Sequence, residues 1–444
     1  MSKFSRRSFL AASAALAAAP ALGPVFGAVP AFGDVDVAIV GAGAAGIAAA
    51  RRIAAGGRRF ALIEAGERIG GRCITDTASL SMPFDRGAHW LYARDSNPIM
   101  QLTAQTGLDV YPAPRGQKLR IGRRNAREGE LEDFLAGLFR SKRAIVEAAR
   151  GKTDIACSRA LPKDLGDWQR TVEFVLGPYA YGRNLSEISA MDFAHSAERD
   201  LSAFCRQGLG ALLAKLGGDI PVLLGAPATR IDWANGAVET AKGIFRARAI
   251  IVTASIGVLD SGKIKFSPDL PKRQLDAIGK LKMGSCERIA LELAGNTLGL
   301  ARDDLVFEKS EGARSASLLA NVSGTNLFMV DVAGNFGRDL AAQGDKAMTA
   351  FATDWLADLF GNDVKTAIKK TAVTRWNAEP WTLGAMSVAA PGGENARKAL
   401  LEPLRDRLWF AGEAAHETMW GTLGGAWESG ERAADAVLKK IGRR

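Results

Sequence analysis

The sequence predicts an α/β protein of two domains: a Rossmann-like dinucleotide-binding unit and a second unit of mixed sheet and helices. Three observations lead there. The run Val37-Ala-Ile-Val-Gly41-Ala-Gly43-Ala-Ala-Gly46 reads as a strand, a glycine turn and the start of a helix. A second strand, Phe60-Ala-Leu-Ile-Glu64, follows and ends in an acid. At 444 residues the chain is long for one domain, and strand-like and helical stretches interrupt the nucleotide-binding signals.

The first 33 residues are set apart. Ser5-Arg6-Arg7-Ser8-Phe9-Leu10 precedes an alanine-rich, weakly apolar run, the pattern of a twin-arginine export signal. Pro20, Gly23 and Pro24 interrupt that run and disfavour a permanent membrane helix, so no stable membrane span is expected after processing. The expected location is periplasmic or secreted. Twin-arginine export carries folded proteins, which suits a protein loaded with its cofactor before export.

The dinucleotide unit is expected over 34–95, 206–262 and 376–444. Gly41 permits the tight turn, Gly43 lets backbone approach a pyrophosphate, and Gly46 lets the helix pack closely on the sheet. The helix start at Ala45 offers N–H groups and a positive dipole end to phosphates. Glu64 stands where a ribose-binding acid belongs, and its charge disfavours a 2′-phosphate. Gly70-Gly71-Arg72 adds a second anchor beyond the acid, which suits the longer dinucleotide FAD. A helix from Gly208, a hairpin at Asn235-Gly236 and a buried strand over Ala249–Thr253 continue the unit.

The substrate-binding unit is expected over 96–205 and 263–375. Leu131, Phe134, Leu135, Leu138, Phe139, Ile145 and Val146 have helical spacing within Glu130–Arg150. A helical region over Trp168–Leu176 is expected to break at Gly177-Pro178. Strands are expected over Arg288–Leu293 and Leu327–Val332, and a helix over Asp345–Phe360.

Several function classes drop out. The formal net charge of +10 includes Lys3, Arg6 and Arg7, so residues beyond 33 carry about +7, and no dense basic run suggests nucleic acid. Cys73, Cys157, Cys205 and Cys286 form no CxxC pair or disulfide framework; one bridge is open, but spacing does not predict it. The three histidines have no ligand spacing, so no metal site is expected. There is no GxSxG elbow.

The opening segment resembles the flavin-containing amine oxidase family, which includes monoamine oxidases, polyamine oxidases and histone lysine demethylases. Two further blocks agree: Asp85-Arg-Gly87-Ala88-His89-Trp90, and the C-terminal Leu408-Trp-Phe-Ala-Gly412-Glu413 with Gly421-Thr-Leu-Gly-Gly425-Ala-Trp427-Glu-Ser-Gly430. The similarity runs from Asp34 to the C-terminus.

The resemblance implies oxidative deamination of an amine by hydride transfer to FAD. Oxygen or a periplasmic electron acceptor then reoxidises the flavin. It implies that Glu413 meets the ribityl-phosphate region and that Thr422 and Leu423 open a helix toward the flavin pyrimidine. It also implies a backbone contact to adenine within Thr229-Arg230-Ile231, assigned to Arg230. Ala385 stands where monoamine oxidases link their flavin through cysteine, so FAD is expected to be non-covalent.

The chain also departs from the family. Arg288 holds the place of the lysine near flavin N5. It keeps a charge and donors but is no base. It is read either as the catalytic residue that orients a water or the substrate, or as a structural ion-pair member. Met386 and Thr422 hold the two aromatic-cage positions. Tyr92, Trp381, Met386 and Trp420 are the substrate-pocket candidates, and His89 is read as a structural hydrogen-bonder. Two alternatives stay open: desaturation or dehydrogenation of a non-amine substrate, and a weakly catalytic flavin-binding protein.

Overall fold

The structure, a computed structural model, describes residues 34–196, 199 and 201–442. The proposed export signal lies outside the described residues. Strand Asp34–Val40 is buried after its first residue because every side chain from Val35 onward meets a packed layer. It pairs in parallel with Phe60–Ile63 on one side, Val40 opposite Ile63, and with Gly243–Val252 on the other, Val40 opposite Val252. Leu408–Phe410 joins the end of Gly243–Val252, also in parallel. The carboxyl ends of these strands therefore share one edge, where open α/β sheets bind ligands. Among the described residues this sheet has eight strands.

Two apolar cores enclose the sheet. Helices Ala44–Ala55, Leu209–Gly217 and Leu423–Ile441 cover one face. Ile256–Asp260, Lys272–Lys280 and Ala396–Leu401 cover the other. Small residues bring the first and last helices together: a Cβ on Gly430 would lie 2.1 Å from the Ala45 carbonyl oxygen.

The boundary expected at 262 falls later. Lys265–Ser267 pairs with Ala228–Asp232, while Leu270, Ala277, Ile278 and Leu281 pack in the core beneath the first sheet. The second sheet takes up the chain at Cys286–Leu293. Its strands run, in spatial order, Ile368–Val373, Cys286–Leu293, Leu327–Ala333, Ala316–Ala320, Asp304–Glu308, Lys118–Ile121 and Arg124–Asn125. Gly334–Ala342 and Asp345–Phe360 pack on it. In the antiparallel register Arg288 stands directly opposite Asp331.

The helix expected to break at Gly177-Pro178 does not break there. Gln169–Phe174 widens into a π-helical turn over Val175–Tyr179 with Pro178 inside. The wider turn accommodates the ring and the missing N–H, and it delivers Tyr179 to the cleft wall. No helix of the described residues is long and apolar enough to cross a membrane.

Candidate active site

A cleft of about 1010 Å³ opens at the carboxyl edge of the first sheet and runs to the second sheet. That is the upper end of the range for cofactor and small-molecule pockets. Its first part is backbone. Gly41 has φ +104°, and an added Cβ would lie 2.5 Å from Thr253 Oγ1. At Gly46 an added Cβ would lie 1.8 Å from the Gly41 carbonyl oxygen, so the turn and the helix touch there. At Gly43 an added Cβ meets nothing within 4 Å, because it would project into the cleft. Gly43 is the N-cap of Ala44–Ala55 and provides no side-chain cap, so the first-turn N–H groups, Ala45 among them, sit at the cleft wall. This is a cradle for an anion, lined by glycine where a side chain would fill it.

Glu64 sits beside the cradle at 9% exposure and accepts from Ala42 N and Gly66 N, both at 2.7 Å. Those bonds hold the carboxylate at the end of strand Phe60–Ile63. Gly71 packs beside Gly43 at the cleft wall, its Cβ position 3.4 Å from Gly43 Cα. Together these features fit a dinucleotide: a phosphate turn, an acid for the ribose and a second glycine wall.

The middle of the cleft is fixed by one buried network. Arg72 donates to Glu413 at 2.9 Å and to the Ala385 carbonyl at 2.8 Å. Glu413 also accepts from Ser387 Oγ at 2.8 Å and Gly421 N at 2.9 Å. Burial alone would raise the Glu413 carboxyl, but Arg72 and Arg397 outweigh it and hold it below the usual carboxylate range. Glu413 thus ties three segments together at the start of the C-terminal helix. Thr422 caps that helix, accepting from Gly425 N at 3.0 Å and donating to Met419 O at 2.7 Å. Leu423 lines the cleft beside it.

The far end is a chamber walled by Tyr92, Tyr179, Met386, Arg199, Arg288 and Asp331. Arg288 is 7% exposed and grips Asp331 through two 2.8 Å bonds. It also donates to the carbonyls of Asp85 and Gly87 at 2.6 and 3.1 Å. Four of its five N–H groups are thereby committed, and its charge is matched. Burial pushes the Tyr92 phenol up to about 12 and the Cys286 thiol higher than usual. Neither supplies a base near neutral pH. His89 is buried, its Nδ1 2.9 Å from Asp85, its ring stacked on Phe204 at 4.7 Å.

Three of the residues expected at the site are placed elsewhere. Arg230 is exposed and donates to Ser267 Oγ; Ala228 and Thr229 face the cleft instead, because a register shift lies between Ala228 and Arg230. Trp420 is fully buried behind the wall, against Tyr181 at 4.8 Å and beneath Arg397 at 4.3 Å. Trp381 lines the cleft at the Glu64 end beside Gly66, with Lys263 5.2 Å over its ring. It is not near the chamber residues. Sequence reasoning missed Tyr179, Arg199 and Asp331. Only Asp331 carried a signal, as a lone acid within the apolar strand Leu327–Ala333. All four cysteines are free, and among the described residues no cluster could hold a metal ion.

Comparisons with known proteins agree with this architecture. Human lysine-specific histone demethylase 2 is 26% identical over 448 residues, covering 90% of this chain and 53% of its own length. The chain thus spans about half the length of the demethylases it matches. Probable polyamine oxidase 4 of Arabidopsis thaliana is 25% identical over 456 residues, covering 92% of this chain and 88% of its own. Cyclohexylamine oxidase from Brevibacterium oxydans IH-35A superposes with a TM-score of 0.77 at 20% identity, covering 92% and 100% of the two chains. Putrescine oxidase bound to putrescine gives 0.78 at 18%, with the same coverage, which shows a shared fold. A family model described as flavin-containing amine oxidoreductase matches residues 44–438. With the dinucleotide cradle and the chamber in one continuous cleft, the chain belongs to the flavin-containing amine oxidoreductase family, whose cofactor is FAD.

Proposed function

We propose that this protein oxidises a primary or secondary amine to an imine, which water then hydrolyses, with oxygen or a periplasmic acceptor taking the electrons. The single observation that carries this is the continuity of the cleft: the glycine cradle and Glu64 at one end, the chamber at the other. Bound FAD would supply the two-electron oxidant. Gly41, Gly43, Ala45 and Gly46 would hold its phosphates, Glu64 its ribose, and Arg72 and Glu413 would set the walls around its middle. Thr422 and Leu423 would aim the helix N-terminus at its far ring, where the dipole favours negative charge. With no described chamber side chain poised as a base, the amine must enter neutral or release its proton to solvent.

FAD is proposed to be held without a covalent bond. Ala385 has no nucleophile, and burial pushes both cleft-lining thiols, Cys73 and Cys286, well up, so neither presents a thiolate. Acid treatment should release all the flavin, and a retained label would refute this. Anaerobic bleaching of the holoprotein by amines, with no bleaching by apolar alkenes, tests the reaction. Bleaching by alkenes alone would favour the desaturase reading.

We further propose export through the twin-arginine route, on the strength of Arg6 and Arg7 ahead of a weakly apolar run. Replacing both with lysine should leave precursor in the cytoplasm. Unchanged periplasmic yield would show another route.

A further inference from the structure

Resting on that reading, we infer that the amine carries a carboxylate on the same short carbon skeleton, and that Arg199 is the residue that receives it.

The acids of the chamber are already spent. Asp331 is the carboxylate among the described residues that wall it, and Arg288 holds both its oxygens at 2.8 Å. Glu413, at the inner edge, is taken by Arg72, Ser387 and Gly421. A second ammonium, as on a diamine, would find no free anion there.

Arg199 is the converse. Its guanidinium carbon lies 4.7 Å from the Tyr181 ring, 5.3 Å from Tyr92 and 5.5 Å from Trp420. Two N–H groups are anchored on the carbonyls of Ala180 and Trp420, each at 3.1 Å. Among the described residues no carboxylate lies within ion-pair distance. Three N–H groups therefore remain, on a cation set among three aromatic rings and lining the cleft. Because Arg288 and Asp331 cancel, Arg199 gives the described residues of the chamber wall one net positive charge. A planar fork with no counter-ion among the described residues is the arrangement that recognises a carboxylate.

Its position limits the size of the ligand. Arg199 Nη2 lies 3.6 Å from the Cβ position of Gly421, and the Met386 side chain lies 3.6 Å from the same point. Gly421 directly precedes the Thr422 cap, where the proposed reading puts the far ring of FAD. The anion dock and the site of amine oxidation are thus adjacent, which suits an amino acid or a short ω-amino acid. An extended polyamine does not fit this arrangement.

The test uses the FAD-loaded full chain and four substrates with one four-carbon skeleton: n-butylamine, putrescine, 4-aminobutanoate and L-2-aminobutanoate. Anaerobic stopped-flow traces give the flavin reduction rate for each. Butyrate, which has no amine to oxidise, is titrated by perturbation of the flavin spectrum and by thermal shift. At least one amino acid should reduce the flavin more efficiently than putrescine, and butyrate should bind. Arg199→Gln should weaken butyrate on the order of 10–100-fold, the worth of a charge-assisted pair. Arg199→Lys should restore part of that, and Arg199→Glu should reverse the order toward putrescine. FAD content, read from absorbance, shows that each variant is folded and loaded. A holoprotein bleached preferentially by putrescine and indifferent to butyrate overturns the inference and leaves amine oxidation standing. A holoprotein bleached by none of the four, yet binding butyrate through Arg199, overturns the amine-oxidation reading and leaves the dock standing.

Discussion

Replacing Arg288 by alanine should destabilise the protein before it changes the chemistry. The side chain spans two units: it grips Asp331 on the opposite strand and the carbonyls of Asp85 and Gly87 on the loop beside the cradle. Asp331 has 18% side-chain exposure, so truncation strands a largely buried carboxylate. Removing one partner of a buried pair costs about 3–5 kcal/mol. Arg288 itself lines the cleft, so water can fill the space its truncation opens beside the two freed carbonyls; little is then added, and a loss of about 4 kcal/mol is expected. At roughly 2 °C per kcal/mol for units of this size, the melting temperature should fall by about 8 °C.

The double variant Arg288→Leu with Asp331→Leu removes both charges together. It should recover to within about 1 kcal/mol of the parent, since well-packed apolar replacements of buried pairs are often neutral. Thermal and urea unfolding of the parent, the single and the double variant should therefore show the double about 3 kcal/mol more stable than Arg288→Ala. A single Arg288→Ala variant that melts like the parent while its flavin reduction slows would refute this argument. It would return Arg288 to the role of a residue that orients a water or the substrate, the reading in which truncation leaves folding untouched.

Three further outcomes are expected. Gly43→Val should abolish FAD binding yet leave the apoprotein's stability within about 0.5 kcal/mol, since the new side chain enters open cleft; flavin titration and apoprotein melting check both halves. Gly46→Ala should do the opposite first, costing about 3 kcal/mol because its Cβ meets the Gly41 carbonyl oxygen at 1.8 Å, read by unfolding of the apoprotein. Glu308 has its carboxyl pushed up to about 7 by burial, with Asp358 nearby, from 4.5; between those values the folded state holds the proton that the unfolded state has lost, so stability falls as pH rises. Glu308→Gln should therefore raise stability by about 3 kcal/mol at pH 8 and by almost nothing at pH 4, and equal gains at both pH values would show that the carboxyl is not perturbed.

The cofactor end of the cleft was legible because local geometry writes it into consecutive residues. Gly41, Gly43 and Gly46 are required by a turn, an approach and a helix contact within six positions, and Glu64 by the end of the next strand. Thr422 was expected from the family resemblance to open the C-terminal helix, and it caps that helix. The chamber is assembled otherwise. Tyr179 arrives through a π-turn that the Gly177-Pro178 pair concealed, since those residues ordinarily end a helix. Of Thr229-Arg230-Ile231, Thr229 lines the cleft while the Arg230 side chain turns to solvent, and a register shift lies between Ala228 and Arg230. Trp420 was misplaced because adjacency to Gly421 says nothing of which way an indole packs, and this one turns inward to Tyr181.

The most informative departure in the sequence gains its meaning only from strand register. An arginine in place of the lysine characteristic of the resembled family reads, in the sequence, as a residue that keeps a charge and donors but is no base. Opposite Asp331 it does something else. A planar fork can hold both oxygens of that carboxylate at once and still reach two carbonyls; a lysine, with one compact ammonium, could not. The exchange therefore removes an acid from the chamber's electrostatics as much as it removes a lysine. Once Asp331 is neutralised, the charge that an incoming substrate meets is that of Arg199, framed by Tyr92 and Tyr181. On the proposed reading, position 288 thus bears on which amines the chamber accepts, through an ion pair that need not touch the substrate.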